Sequence, residues 1–437
     1  MSSKNANRTL LLTLRFILMF LIFPVLFSCS GRERGRASKS GKKTETVVKQ
    51  ASLDDCKGKV MFHVNSGDAA QVKKVRYFMD GSGSMFGYFN GSNDFKTVLS
   101  EFVHLPSFVK SHPEKEFAFA CKKILPCDEA KFETACNSKR NAVGFIKRAS
   151  YWENSLLNEN INSMITQQDD STISLFFTDG IYSISGVKSD ALLSTLESKG
   201  MKTRELVLSA LYKKDFQCLI LQFSSLFQDK IITAAGSSIK WNDERPFYVF
   251  IVGPDNLINT YFSGDKLNQV GKLKNFVRFT KFTDEVSKST PVKVSTFGRS
   301  RYKDGCIKAK ISSRQLFGFT IEADFTGIPY DADYLTDTNN YSITDDYVIE
   351  KITQVDGQKV KLYVQQTETG NMYTNIDIDL LTQEEGWVSE ASCDNDAKPT
   401  TDKTLGLDKL VFGIQDAYKI VNNNSTSLAS IHLLITK

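Results

Sequence analysis

The run Tyr77-Phe78-Met79-Asp80-Gly81-Ser82-Gly83-Ser84-Met85 sets one carboxylate and two hydroxyls at alternate positions directly after a short apolar stretch. Gly81 and Gly83 permit the tight backbone that lets three oxygens face one point. Carboxylate, hydroxyl and water oxygens gathered in this way are what a hard octahedral cation such as Mg²⁺ or Mn²⁺ takes. Three oxygens underfill such a shell, so further ligands are expected from a second element. Phe176-Phe177-Thr178-Asp179-Gly180 supplies one: another apolar run ending in Asp-Gly, 99 residues after Asp80. Other chemistry fits poorly. A G-x-S-x-G nucleophile elbow is missing, because Asp80 stands two residues before Ser82 and Ser82 two before Ser84. No G-x-x-x-x-G-K-[ST] phosphate loop, HExxH or CxxC occurs, and His63, His104, His112 and His432 are scattered. Asp80 and Asp179 as a general acid–base pair would have to give up a proton beside a cation that keeps both ionised.

For these groups to meet, the runs that carry them must be strands whose carboxyl ends share one sheet edge, where open α/β sheets bind ligands. The hydrophobic pattern supports that placement. Apolar runs at 75–79, 116–121, 172–177, 216–223 and 246–252 alternate with helix-like stretches, such as Phe95, Val98, Leu99 and Phe102. Buried continuous strands alternating with amphipathic helices predict an α/β domain with a doubly wound, mostly parallel sheet over 72–275. Residues 224–245 show no amphipathic helix, so the connection there is either irregular or a hairpin. Beyond Thr290 the period becomes 2, as in Phe317, Phe319, Ile321, Ala323 and Phe325, and in Val360, Leu362 and Val364. Asp356-Gly357 is a hairpin turn signal between two such runs. The pattern predicts a β-rich, sandwich-like domain over 290–437. A single helix interrupts it, with Leu407, Leu410, Val411, Ile414 and Tyr418 on one face.

Together the Asp80-x-Ser82-x-Ser84 turn and the Thr178-Asp179-Gly180 turn resemble the metal-ion-dependent adhesion site of von Willebrand factor type A (vWA) domains. The resemblance covers 72–275 and implies a vWA/Rossmann-like fold. It also implies a third loop carrying a Thr at the start of a helix. Ser150, 70 residues after Asp80, is the best match, with Ser155 as the alternative. Either keeps the hydroxyl and loses the methyl that restricts the rotamer of a Thr. By the same resemblance Ser82, Ser84 and that third hydroxyl would bind the metal directly, and Asp80 and Asp179 through water. Adhesive members of the family complete the metal's shell with a carboxylate from a partner protein.

The 437 residues, 41% hydrophobic and 24% charged with 9 Pro, exclude collagenous and largely disordered chains. Lys4 and Arg8 precede an apolar run from Leu10 to Phe27 that Arg15 interrupts, leaving 12 clean residues from Phe16. A spanning helix needs about 20 residues, so 1–28 reads as a signal peptide. Leu26-Phe27-Ser28-Cys29 resembles a bacterial lipobox, which makes Cys29 the lipidated first residue of an envelope lipoprotein. Ser30 replaces the Asp that favours inner-membrane retention, so the outer membrane is expected, on its periplasmic or surface face. Polar residues over 29–71 read as a flexible tether. Residues 1–28 and 30–50 hold charges of +3 and +5, so the chain's +5 leaves about −3 on 51–437. That balance opposes a nucleic-acid partner. Of the other seven cysteines, Cys218 lies in an apolar run and reads as a buried thiol, while Cys56, Cys121, Cys127, Cys136, Cys306 and Cys393 allow 15 pairings.

The expectation is therefore a membrane-anchored binding or adhesion protein, not an enzyme, that holds Mg²⁺ or Mn²⁺ and engages an acidic residue of a protein partner. Two alternatives stand beside it. One is an envelope assembly scaffold that never cycles metal. The other is an envelope hydrolase with its site in the β-rich domain, where Asp345, Asp346, Asp377 and Asp379 are the candidate acids.

Overall fold

The computed structural model describes residues 58–65, 70–148, 156–184, 186–283, 286–297, 300–303, 306–309, 317–367, 375–383 and 386–436. The expected leader, Cys29, Cys56, Ser150 and Ser155 lie outside the described residues.

The first strand corrects the tether expected over 29–71. Lys59–Phe62 forms β1, and its Val60 and Phe62 are fully buried. Only one turn of the apolar alternation is present, too little for the sequence pattern to stand out. The chain then builds β2 (Lys74–Asp80), β3 (Glu114–Ala120), β4 (Ile124–Cys127), β5 (Thr172–Thr178), β6 (Gln217–Ile232), β7 (Ser238–Gly253) and β8 (Asn275–Phe279). They form one seven-stranded sheet in the order β4-β3-β2-β5-β7-β6-β8. β2 runs parallel to both β3 and β5, and every other neighbouring pair is antiparallel. The sheet is thus mixed rather than mostly parallel. The cause lies in residues 224–245, which have no helix to carry a crossover. β6 and β7 instead extend into one long hairpin, which turns at Gly236 with φ +84°.

Helices cover both faces of this sheet. Val75, Tyr77 and Met79 pack with Phe95, Phe102, Phe132 and Ile258 on one side. Phe78, Phe176 and Phe250 pack with Ile161, Leu196 and Leu211 on the other.

The remaining strands are β9 (Lys288–Pro291), β10 (Lys293–Phe297), β11 (Ser300–Lys303), β12 (Cys306–Ala309), β13 (Gly318–Asp324), β14 (Tyr341–Ile343), β15 (Tyr347–Asp356), β16 (Lys359–Gln366), β17 (Asn375–Leu381), the short pair β18 (Ser392–Cys393) and β19 (Thr404–Leu405), and β20 (Ser427–Thr436). One sheet runs β10-β13-β16-β15. The other runs β11-β12-β20-β1-β9, with β17 also on β20 and β14 on β17. Phe319, Ile321, Leu362 and Val364 of the first share a core with Val60, Phe62, Ile378 and Ile431 of the second. The turn at Gly357, φ +52°, joins β15 to β16. Cys306 is disulfide-bonded, whereas Cys218 is a buried free thiol.

The two cores are interleaved along the chain. The α/β core is inserted between β1 and β9. The helix Leu407–Val421, expected as the one helix of the β-rich domain, lies on the α/β sheet instead. Its Leu410, Val411 and Ile414 join Leu196 and Phe176 in one cluster, and the Tyr418 hydroxyl donates to the Phe216 carbonyl at 2.9 Å. This helix crosses Ser189–Leu211 very closely. A Cβ on Gly413 would stand 2.5 Å from the Gly200 carbonyl oxygen, and one on Gly200 would stand 2.6 Å from that of Lys409.

Two outcomes follow from this packing. Alanine is ordinarily the better helix former by about 1 kcal/mol. Gly413→Ala is nevertheless expected to destabilise the protein by about 1–3 kcal/mol, because the helices must move apart. Urea unfolding measures it, and a gain in stability would show that the helices do not meet there. The second outcome concerns Asp255, which starts the helix Asp255–Phe262. It is buried and accepts from Gln217 Nε2 at 3.2 Å and Thr280 Oγ1 at 3.1 Å. Burial pushes its carboxyl up to about 6, against the pull of Arg278. A folded pKa above the unfolded value means that stability from this group is full below about pH 4 and is lost as pH rises through about 6. Asp255→Asn should therefore gain on wild type between pH 4 and pH 7, by on the order of 1–3 kcal/mol. Unfolding titrations at a series of pH values would show a constant difference if the group does not titrate in the fold.

Candidate functional site

The pairing of β2 with β5 decides where the carboxylates lie. Met79 stands opposite Phe177, so Asp80 and Thr178-Asp179 leave neighbouring parallel strands at the same edge. Fully apolar flanks fix that register: Phe78, Met79, Phe176 and Phe177 are all buried, and a one-residue slip would exchange the two faces. After Asp80 the chain enters a 3-10 turn, Gly83–Phe89, that returns Ser84 toward Asp179. Gly81 is required by close approach, since a Cβ there would lie 2.2 Å from Cys121 Sγ.

Four of the five expected metal-site residues are brought together. Asp80 Oδ1 accepts from the Ser82 amide at 2.9 Å, and Asp80 Oδ2 accepts from Thr178 Oγ1 at 2.7 Å. The Ser82 and Ser84 hydroxyls are 2.8 Å apart, and Ser84 hydrogen-bonds to Asp179. Asp179 Oδ1 accepts from the Ile181 amide at 3.2 Å, whereas its Oδ2 is buried and has no hydrogen-bond partner. The fifth residue, Ser150, and its alternative Ser155 lie outside the described residues.

Burial dominates the electrostatics. Asp80 is wholly buried and Asp179 is 1% exposed. Desolvation first, and then the charge of Asp179, pushes the Asp80 carboxyl up to about 6. Asp179 is also raised by burial, while Arg245 pulls it the other way. Arg245 sits three residues before Tyr248, the partner of Thr178 on β7, and so lies on the part of the hairpin that overhangs the site. Its guanidinium rests 5.1 Å from the Phe227 ring centre, and its Nε is buried without a partner.

The donor set fits a hard divalent cation. Two carboxylates and two hydroxyls converge, and the orphaned Asp179 oxygen is an acceptor that water or metal would satisfy. Among the described residues no three His, Cys, Asp or Glu side chains form a metal cluster, so hydroxyls would have to complete any such shell.

Sequence reasoning missed Thr178 and Arg245. Thr178 is visible in the turn, but nothing in its type or spacing marks it as the donor to Asp80. Arg245 had a weak signal, being the one base before the apolar run 246–252.

The β-rich core holds a second polar group on the outer face of β1, β17 and β20. Ser430 Oγ donates to Asp379 Oδ1 at 2.5 Å and accepts from His63 Nε2 at 2.8 Å. His432 pairs with Asp377, cross-strand. Serine, histidine and carboxylate are present, but the order is wrong for a nucleophile. Asp379 bonds to the serine rather than orienting the imidazole, and Ser430 is 5% exposed.

No family model matches this chain, and no curated protein or solved structure matches it either.

The two buried carboxylates generate a stability expectation. Asp80→Asn in EDTA-treated protein should stabilise it at pH 7.5, by on the order of 1–3 kcal/mol, because one of two like charges leaves a dry site. The amide oxygen can accept from the Ser82 amide while its NH2 donates to Thr178 Oγ1. Denaturant unfolding tests this, and a loss of stability would mean that Asp80 is fully compensated without metal.

Proposed function

We propose that the chain is a lipid-anchored binding protein of a bacterial cell envelope, with a vWA-like domain whose site holds Mg²⁺ or Mn²⁺. The observation that carries this reading is the convergence of Asp80, Ser82, Ser84 and Asp179 at the carboxyl ends of two adjacent parallel strands, with one buried carboxylate oxygen unpartnered. Parallel order β3-β2-β5 with helices on both faces supports a Rossmann-like centre to the fold, and the inserted antiparallel β7 departs from it. A bound divalent cation supplies a point charge with an open coordination position for a carboxylate of a protein partner. The residues here hold that cation and position it. They perform no bond-breaking chemistry in this reading.

The anchor rests on Leu26-Phe27-Ser28-Cys29, with the outer membrane as the proposed destination. The disulfide at Cys306 suits an oxidising compartment. Among the described residues no helix is long and apolar enough to cross a membrane. One observation favours the scaffold reading: Asp80 is closed off from solvent, and a buried arginine already stands near Asp179. A domain of that kind would hold its shape without exchanging metal.

Thermal unfolding separates the two. Cation at a hundredfold excess over Kd contributes about 2.7 kcal/mol, which should raise the melting temperature by about 3–5 °C for a body of this size. Asp179→Ala and Ser82→Ala should abolish that rise. An unmoved melting curve in millimolar Mg²⁺ and Mn²⁺, against EDTA, would leave the scaffold reading and remove metal-dependent adhesion.

A further inference from the structure

A second site lies away from the carboxylate pair, where the returning helix Leu407–Val421 meets the sandwich. A cleft of about 850 Å³ opens there, within the range of about 300–1,000 Å³ typical of small-molecule sites. Phe412, Gln415 and Lys419 of that helix form one wall, and the segment 331–340 and the end of β17 form the others, with Phe276 of β8. Junctions between packed bodies are a preferred place for ligands.

The lining is polar and unspent. Among the described residues, the side chains of Asp333, Asn339, Gln383, Gln415 and Lys419 make no hydrogen bond or ion pair with the rest of the protein. Gln383 Oε1 is also cut off from solvent, so one acceptor is buried without a donor. An unmade hydrogen bond of this kind is costly, and the exposed or half-buried polar side chains around Gln383 are open to the same partner.

The chemistry of that partner can be narrowed. Asp331, Asp333 and Asp337 against Lys419 give the cleft net negative charge, which opposes a polyanion. Three side-chain amides in that set each offer both a donor and an acceptor, and they match groups that do the same. Phe276, Tyr334 and Phe412 are half-buried at the lining and present apolar surface between the polar groups. Hydroxyls spaced around an apolar ring face fit all three features.

We propose that this cleft binds a neutral saccharide, with Asp333, Gln383 and Gln415 hydrogen-bonding its hydroxyls and Phe412 and Phe276 meeting its ring faces. The site is independent of the Asp80–Asp179 edge, so it requires no metal.

Isothermal titration of the full chain with chitotriose, maltotriose and cellotriose, each in the millimolar range, tests it. At least one trisaccharide should bind saturably, and equally with Mg²⁺ or with EDTA. Asp333→Ala and Gln415→Ala should each weaken that binding by about fivefold. Both substitutions remove partly exposed side chains, so circular dichroism melting curves should stay unchanged and rule out misfolding. Absence of binding by all three sugars would overturn the proposal, as would affinity that neither substitution alters. A response to trilysine or inorganic phosphate that Gln415→Ala weakens, with none to the sugars, would overturn it too.

Discussion

Two carboxylates leave adjacent parallel strands at one sheet edge, and both are shut away from water. That constraint organises the α/β core. Parallel pairing of β2 with β3 and β5 fixes the edge, and apolar residues on both faces of these strands prevent a shift in register. Once Asp80 and Asp179 share the edge, their mutual repulsion and lost hydration must be offset locally. Thr178 and the Ser82 amide donate to Asp80, the Ile181 amide and Ser84 to Asp179, and Arg245 contributes a positive charge nearby. The hydrogen bonds come from the turns themselves, which is why the glycine-rich backbone and the hydroxyl side chains occur together.

The same edge explains the hairpin. β6 and β7 continue well beyond the end of β5, and that overhang carries Phe227 and Arg245 to the side of the 3-10 turn. A helical crossover at this position would have left the turn uncovered. Tyr88 bonds to the Pro246 carbonyl and packs edge-on against Phe227, so the overhang and the turn stabilise each other. Interleaving extends this logic to the whole chain. β1 and the helix Leu407–Val421 each belong to a core other than the one their sequence neighbours suggest, so the α/β core closes only with that helix and the β-rich core only with β1.

Legibility in the sequence followed the length and purity of each signal. The strands β2, β5 and β16 were readable because seven or eight residues carry an unbroken pattern, and the Asp-Gly turn after β15 was readable because its backbone needs φ > 0. The antiparallel insertion of β7 was half-readable: the missing helix at 224–245 left an irregular connection or a hairpin, and nothing local states which neighbour a strand will choose. β1 was hidden by its four-residue length. The helix Leu407–Val421 was found with its apolar face correct, yet its destination was not, since an apolar face says that something covers it and not what. Asp80, Ser82, Ser84 and Asp179 were legible because chemistry restricts residue types at close spacing. Arg245 was not, because its role comes from β7 lying beside β5, a long-range pairing.

Charge balance at the edge connects the metal proposal to the partner's chemistry. Among the described residues, Asp80, Asp179 and Arg245 sum to one negative charge in a site with little water to screen it. Under the proposed function, a divalent cation turns that into one positive charge, and a carboxylate from a partner then brings the edge to neutrality. Without Arg245 the loaded site would already be neutral, and a partner carboxylate would gain far less from approaching it. With Arg245 and no cation, the site is negative and repels the same group. The arginine therefore weakens cation binding by repulsion and, under the proposed function, strengthens the dependence of anion recognition on the cation.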